Sequence, residues 1–160
     1  MLAAAFFDNS LAFCSQKHYY SREEILQLMQ KNCPTIHSRI RYALAKELGR
    51  YLGEQYATVQ SVYVYGSTMK DSAGKTSDID LLVLVGEKTP SLAQAVQLLN
   101  DKLLSLYRVL LGDDAPPIRR MLDVHIVDTD EVAARRGYGT LIGSLYQPPT
   151  KIWSRNSDLN

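Results

Sequence analysis

The pattern of apolar and polar positions predicts three short strands. Val59–Tyr65 and Ile79–Val85 are runs rich in Val, Leu and Tyr that a polar segment joins, as expected for two paired strands. Residues 122–127 alternate between apolar and polar side chains, which is typical of a half-buried strand.

Helical periodicity appears on both sides of the first two strands. A capping box at residues 21–24 predicts a short helix that ends before Pro34. Apolar residues then recur at helical spacing over residues 36–52, which predicts a longer amphipathic helix that leads into the first strand. Thr89 caps a third helix, which ends at Gly112.

The pattern weakens after the third strand. Thr129 or Asp130 can cap a short helix that runs to Arg136, and residues 137–145 can form another. The tail that contains Trp153 has no clear periodicity, and we expect this indole to pack against the body of the protein.

The order of the elements indicates the fold class. A helix, two strands, a helix and, after a loop at residues 113–117, a third strand fit an α+β (α/β) fold. We expect a small mixed β-sheet with helices packed on one side.

Three carboxylates interrupt the apolar strands. Asp78 and Asp80 are two residues apart, so on an extended chain both project from one face while Ile79 points into the core. Two like charges this close raise each other's pKa unless a cation lies between them, and Mg²⁺ is a hard cation that prefers carboxylate oxygens. Asp123 lies on the polar face of the third strand and can join them if the strands are neighbours.

Composition narrows the classes of function. The 160 residues suit one globular domain, with 46% hydrophobic residues and a net charge of +1, which does not favour long nucleic acid as a partner. Cys14 and Cys33 lack the spacing of a zinc site and are expected to be free thiols. The apolar start lacks a basic region, and no apolar run reaches the roughly 18 residues of a membrane span. We therefore expect a cytoplasmic protein.

The ordered motif resembles a known superfamily. Gly66-Ser67, ten further residues, Asp78-Ile79-Asp80 and then an isolated Asp123 between apolar residues are similar to the nucleotidyltransferases that include DNA polymerase beta. The minimal nucleotidyltransferase (MNT) branch is the most similar, over residues 36–153. The resemblance implies a polymerase beta-like nucleotidyltransferase fold.

The resemblance also implies a reaction and a site. An acceptor hydroxyl would displace pyrophosphate from a nucleoside triphosphate, with ATP the expected donor and two Mg²⁺ ions at the site. The implied metal-binding and catalytic residues are Asp78, Asp80 and Asp123. The implied nucleotide-binding residues are Gly66, Ser67, Thr68 and Lys70.

Several of these residues have simpler interpretations. Gly66-Ser67 alone would be an ordinary turn, and Asp123 could be an edge-strand carboxylate that faces water. Lys70 could belong to a solvated turn.

Other polar residues have less specific signals. His125 could help to bind phosphate or a metal, or could be a hydrogen-bonded partner of a neighbouring Asp. His18 and His37 have no companions and are expected at the surface. Arg119 and Arg120 could line an acceptor groove or form surface salt bridges.

The domain division and the partners follow from the resemblance. Residues 1–34 would be an N-terminal helical extension and residues 35–160 the nucleotidyltransferase domain. In the minimal branch the partner is often a small helical HEPN-type protein in a toxin-antitoxin pair, which receives the nucleotide. The alternatives are a non-catalytic nucleotide-sensing or partner-binding module, and an antibiotic nucleotidyltransferase that self-associates into a dimer.

Overall fold

The computed structural model describes residues 2–112 and 118–156, within which helices precede and flank a four-stranded sheet. The helices are α1 (Leu2–His18), α2 (Arg22–Gln30), α3 (Pro34–Gln55), α4 (Pro90–Leu111) and α5 (Thr129–Ala133). The strands are β1 (Val59–Tyr65), β2 (Ile79–Val85), β3 (Leu122–Asp128) and β4 (Thr150–Ser154). Short 3₁₀ helices lie at Gly66–Lys70 and Gly137–Leu141.

The sheet is mixed, with the strand order β3-β2-β1-β4. β1 pairs antiparallel with β2 and β4, whereas β2 pairs parallel with β3. The parallel pair is joined through α4, as parallel neighbours require a long crossover. All three predicted strands are confirmed, and so is the mixed sheet.

The predicted helices form where the capping residues indicate. Ser21 is the N-cap of α2, and its Oγ accepts a hydrogen bond from the backbone N–H of Glu24 at 3.1 Å. Thr89 caps α4 in the same way, with 3.4 Å from the Leu92 N–H to its Oγ1. The predicted loop at residues 113–117 lies outside the described residues.

α1 falls within the predicted helical extension but had no predicted bounds, and β4 was not predicted. α1 buries Phe6, Phe7 and Leu11, although its sequence has no side-chain cap signal at its start. β4 occupies the tail that lacks periodicity in the sequence. The missing periodicity agrees with the partial burial of its side chains at the edge of the sheet. The Trp153 side chain packs against the main core, as expected.

The end of the chain differs from the prediction in detail. Asp128, and not Thr129 or Asp130, is the N-cap of α5, and a reciprocal hydrogen bond with Glu131 completes a capping box. α5 ends at Ala133 instead of Arg136. The predicted helix over residues 137–145 is shortened to the 3₁₀ helix Gly137–Leu141.

The two faces of the sheet are covered unequally. One face packs against α3 and α4, on which α1 and α2 pack in turn. Together they form the main core, which includes Leu11, Ile25, Leu44 and Leu103, all fully buried. The other face carries a small cluster around Leu82, which α5 and the second 3₁₀ helix cover in part.

The predicted division of the chain into two domains at residue 34 stays a prediction. In the part of the chain that the structure describes, none of the helices combines the length and the hydropathy that a membrane crossing needs.

Candidate active site

Three aspartates meet where β2 and β3 begin. Asp78 comes directly before β2, Asp80 is the second residue of β2, and Asp123 is the second residue of β3. The parallel register places Asp80 beside Asp123. Ile79 is fully buried in the main core, so the alternation of the strand turns Asp80 to the opposite, more open face. The structure thus brings together the three carboxylates that the sequence singled out.

The carboxylates form a compact cluster of negative charge. Each offers one oxygen, and these oxygens all lie within 4.8 Å of one another. Burial is the largest cause, and the charges of Asp78 and Asp123 the next, of a pKa of Asp80 that is raised to about 6. Such a set of hard oxygen ligands suits a divalent cation such as Mg²⁺.

Arg120 neutralises part of this charge. Its Nε lies 2.8 Å from Asp78 Oδ2 and its Nη2 lies 3.3 Å from Asp123 Oδ2. The hydrogen bond to Asp78 is the main reason that the pKa of Arg120 is raised. The sequence suggested Arg120 either as a salt-bridge partner or as part of an acceptor groove, and its contact with two site aspartates could not be read from residue spacing.

Gly66 is required by the position of Asp80. Its φ is +74°, and a Cβ at this position would lie 2.1 Å from Asp80 Oδ2. The resemblance implies a nucleotide-binding role for Gly66, and the structure adds a reason for a glycine within the protein itself. The glycine allows the end of β1 to lie against a site carboxylate.

The remaining predicted nucleotide ligands occupy different environments. Ser67 is half-buried, and its hydroxyl makes no hydrogen bond to another described residue. Lys70 is exposed on the same 3₁₀ helix. Thr68 is only 5% exposed, and its Oγ1 has no hydrogen-bond partner among the described residues. Its burial weighs against a contact between this hydroxyl and a nucleotide, whereas Ser67 and Lys70 stay accessible.

Aromatic and imidazole rings border the cluster. His125 Nε2 lies 3.2 Å from Asp123 Oδ1, and the imidazole stacks on Tyr138 with a centroid distance of 3.5 Å. Tyr65 lies on the other side, where burial and the nearby Asp80 raise the pKa of its phenol. His125 thus lies beside a neighbouring Asp, as one of its two interpretations expected, and Tyr138 is a neighbour that the sequence did not indicate.

Open cavities lie on two sides of the carboxylates. One, of about 540 Å³, is bordered by the end of β1 and by β4, and Gly66, Lys70 and Thr150 are among its lining residues. Another, also about 540 Å³, lies beside the segments that precede β2 and β3 and is lined by Asp78, Arg119 and Arg120, among others. Of the three aspartates only Asp78 lines one of these cavities, whereas the other cavity is lined by Gly66, the neighbour of Asp80.

A family model matches the part of the chain that carries the three aspartates. The family model described as Polymerase beta, Nucleotidyltransferase matches residues 46–130, which is more than half of the chain and includes all three aspartates. A candidate nucleotidyltransferase from Sulfolobus solfataricus, known from a crystal structure, is 22% identical, with 79% of this chain and 93% of that chain covered and a TM-score of 0.43. No curated protein matches the chain significantly.

Proposed function

The chain belongs to the polymerase beta nucleotidyltransferase family, and from this we propose that it moves a nucleoside monophosphate from a nucleoside triphosphate, ATP in the first instance, to a hydroxyl group. The acceptor oxygen would form a bond to the α phosphorus while the bond from that phosphorus to the pyrophosphate oxygen breaks. The observation that carries the proposal is the meeting of Asp78, Asp80 and Asp123 at one end of the sheet, with ligand oxygens within 4.8 Å.

The three carboxylates form a set of oxygen ligands that fits magnesium. Asp78, Asp80 and Asp123 would hold it, because three carboxylates in a partly buried cluster carry more negative charge than the single guanidinium of Arg120 balances. When bound, magnesium would supply positive charge that stabilises the phosphate oxygens of the transferring group. Burial is the main cause of the raised pKa of Asp80, and the neighbouring charges of Asp78 and Asp123 add to it.

The chain's own residues would position the substrates. The Ser67 hydroxyl and the Lys70 ammonium face the cavity or the solvent at the end of β1 and could bind phosphate oxygens there. Displacement in line requires the acceptor to approach opposite the leaving pyrophosphate. We therefore place the acceptor in the cavity beside Asp78 and Arg120, where Asp123 would orient its hydroxyl.

The acceptor would be a partner protein or a small molecule, and a small helical HEPN-type protein is the first protein acceptor to test. Transfer of labelled nucleotide onto such a protein would support this choice. Labelling of a small hydroxyl compound alone would favour the small-molecule acceptor.

A thermal unfolding experiment tests the donor site. The protein is heated with Mg²⁺ and each of the four ribonucleoside triphosphates, beside the double variant Asp78→Asn, Asp80→Asn. Ligand at about 100 times its dissociation constant should stabilise the protein by about 2.7 kcal/mol, which is a rise in Tm of roughly 5–10 °C for a chain of this size.

The variant should unfold cooperatively but show no nucleotide shift that depends on Mg²⁺. A shift that the variant retains would contradict the metal assignment. A shift without any nucleotide transfer to the acceptors tested would favour a nucleotide-sensing module over an enzyme.

A further inference from the structure

Arg41, on α3, is the largest fully buried side chain in the described residues. Its hydrogen-bond partners include no carboxylate: they are backbone carbonyls, one imidazole and one phenol. Removing a guanidinium charge from water costs several kcal/mol. The hydrogen bonds that Arg41 makes in the core offset this cost. These hydrogen bonds hold one particular segment of the chain.

The guanidinium holds the segment that leads into Asp78. Arg41 Nε donates to the carbonyl oxygen of Ser77 at 2.9 Å, and its Nη2 donates to the carbonyl oxygen of Lys75 at 3.4 Å. The same Nη2 donates to the hydroxyl of Tyr107 on α4 at 2.9 Å, and this hydroxyl donates to the Lys75 carbonyl at 2.7 Å. Two helices of the main core thus converge on residues 75–77.

His37 orients the guanidinium from the other side. The carbonyl of Lys31 can only accept, so the His37 Nε2 that lies 2.9 Å from it carries the proton. His37 Nδ1 is then the acceptor for Arg41 Nη1 at 3.3 Å, and the same Nη1 donates to the His37 carbonyl at 3.2 Å. Burial lowers the pKa of His37, which agrees with a neutral ring. The expectation of a surface His37 was therefore wrong.

We propose that Arg41 is a positioning residue for the metal-binding carboxylate of Asp78, an inference that rests on the proposed function. Asp78 precedes the first residue of β2, so the strand pairing does not hold it directly. Arg120 holds its carboxylate, and its backbone follows directly from Ser77, whose carbonyl Arg41 fixes. Ligand side chains must be held to within about 0.5 Å, and the residues that support them commonly change metal affinity 10–100-fold when they are removed.

A second arginine, exposed whereas Arg41 is buried, provides a comparison that separates positioning from stability. Arg155 also donates to backbone carbonyls, those of Gly53, Tyr56 and Val59, but at the start of β1 and away from the aspartates. The variants are Arg41→Lys and Arg155→Lys, since a lysine retains the charge and loses the forked geometry. For each we would measure the affinity for Mn²⁺ by electron paramagnetic resonance and the free energy of unfolding in urea.

Arg41→Lys should weaken Mn²⁺ binding about 10-fold or more, whereas Arg155→Lys should leave it within about twofold while also losing stability. If Arg41→Lys fails to fold, Tyr107→Phe serves instead, since it removes the shorter of the two hydrogen bonds to the Lys75 carbonyl and the acceptor that orients Arg41 Nη2. Weaker Mn²⁺ binding is again expected. Equal Mn²⁺ affinity in the Arg41 or Tyr107 variant and in the wild type would overturn the positioning role alone. Wild-type protein that binds Mn²⁺ no better than the Asp78→Asn, Asp80→Asn variant would overturn the proposed function, and this inference with it.

Discussion

The carboxyl group of Asp80 makes the metal-free protein sensitive to pH. Its pKa of about 6 lies above the value near 3.9 that is expected in the unfolded chain, so the folded state keeps a proton that the unfolded state releases between about pH 4 and 6. This contribution to stability is present below about pH 4 and is lost as the pH rises through 6. We expect a loss on the order of 1 kcal/mol once solvent screening is allowed for.

Urea unfolding of wild type and Asp80→Asn across pH 4 to 7.5, with a chelator present, would measure the difference. The wild type should lose more stability than the variant as the pH rises, because other titrating groups are common to both proteins. Parallel pH profiles would show that the Asp80 carboxyl titrates normally.

The backbone strain at Gly66 can be separated from its steric contact with Asp80 by comparing two glycine variants. Gly66→Ala should destabilise the protein by about 1–3 kcal/mol and weaken Mn²⁺ binding, because the new Cβ would lie 2.1 Å from Asp80 Oδ2. Gly143 has a similar φ of +82° with nothing within 4 Å of a Cβ. Gly143→Ala should therefore carry the backbone strain and leave Mn²⁺ affinity unchanged. The same loss of affinity in both variants would mean that the close contact with Asp80 is unimportant.

The packing of α3 against β4 depends on a second glycine. A Cβ on Gly53 would lie 2.3 Å from ring atoms of Trp153, whereas a Cβ on Gly49, one turn earlier, would meet its neighbours at 3.4 Å. Alanine is favoured over glycine within a helix by about 1 kcal/mol, but overpacking costs about 1–3 kcal/mol. Gly53→Ala should thus destabilise the protein, and Gly49→Ala should be neutral or stabilising.

Thermal unfolding of the two variants, with Trp153 fluorescence as a local probe, would check this difference. Only Gly53→Ala should also change the emission of the indole in the folded protein. Equal effects on Tm would contradict the proposed contact between α3 and the ring.

α3 also shows what a residue pattern can conceal. His37 and Arg41 are four residues apart and lie beside buried apolar residues of the same helix, such as Ile40 and Leu44. A polar pair at helical spacing within an apolar stripe is a signal that could have indicated burial. Its partners on the 75–77 segment and on α4 could not be inferred, because they are distant in sequence.

The protein as a whole buries one large cluster on a single face of its sheet. Residues of α1 and α2, such as Leu11 and Ile25, are part of the same cluster as the strands. This arrangement leaves the opposite face, with its smaller cluster around Leu82, open enough for the three aspartates to remain accessible. The unequal cover of the sheet is therefore what places a charged site on an otherwise apolar framework.

Interactions between residues that are close in the chain explain which features could be predicted from the sequence. The apolar runs of β1 and β2 and the alternation of β3 depend on near neighbours, and all three strands were predicted. The same holds for the caps at Ser21 and Thr89 and for the shared face of Asp78 and Asp80. The bounds of α1 and the strand β4 could not be predicted, since α1 lacks a cap signal and β4 is defined by its pairing with β1.

Only the tertiary structure decided the rest of the site. The parallel register that brings Asp123 beside Asp80, the bridge that Arg120 makes between two aspartates, and the hold of Arg41 on Ser77 all join residues far apart in the chain. Residue spacing fixes which side chains share a face of one strand or helix. Which strands and helices then meet is decided by the burial of their apolar faces together, and that depends on the whole chain.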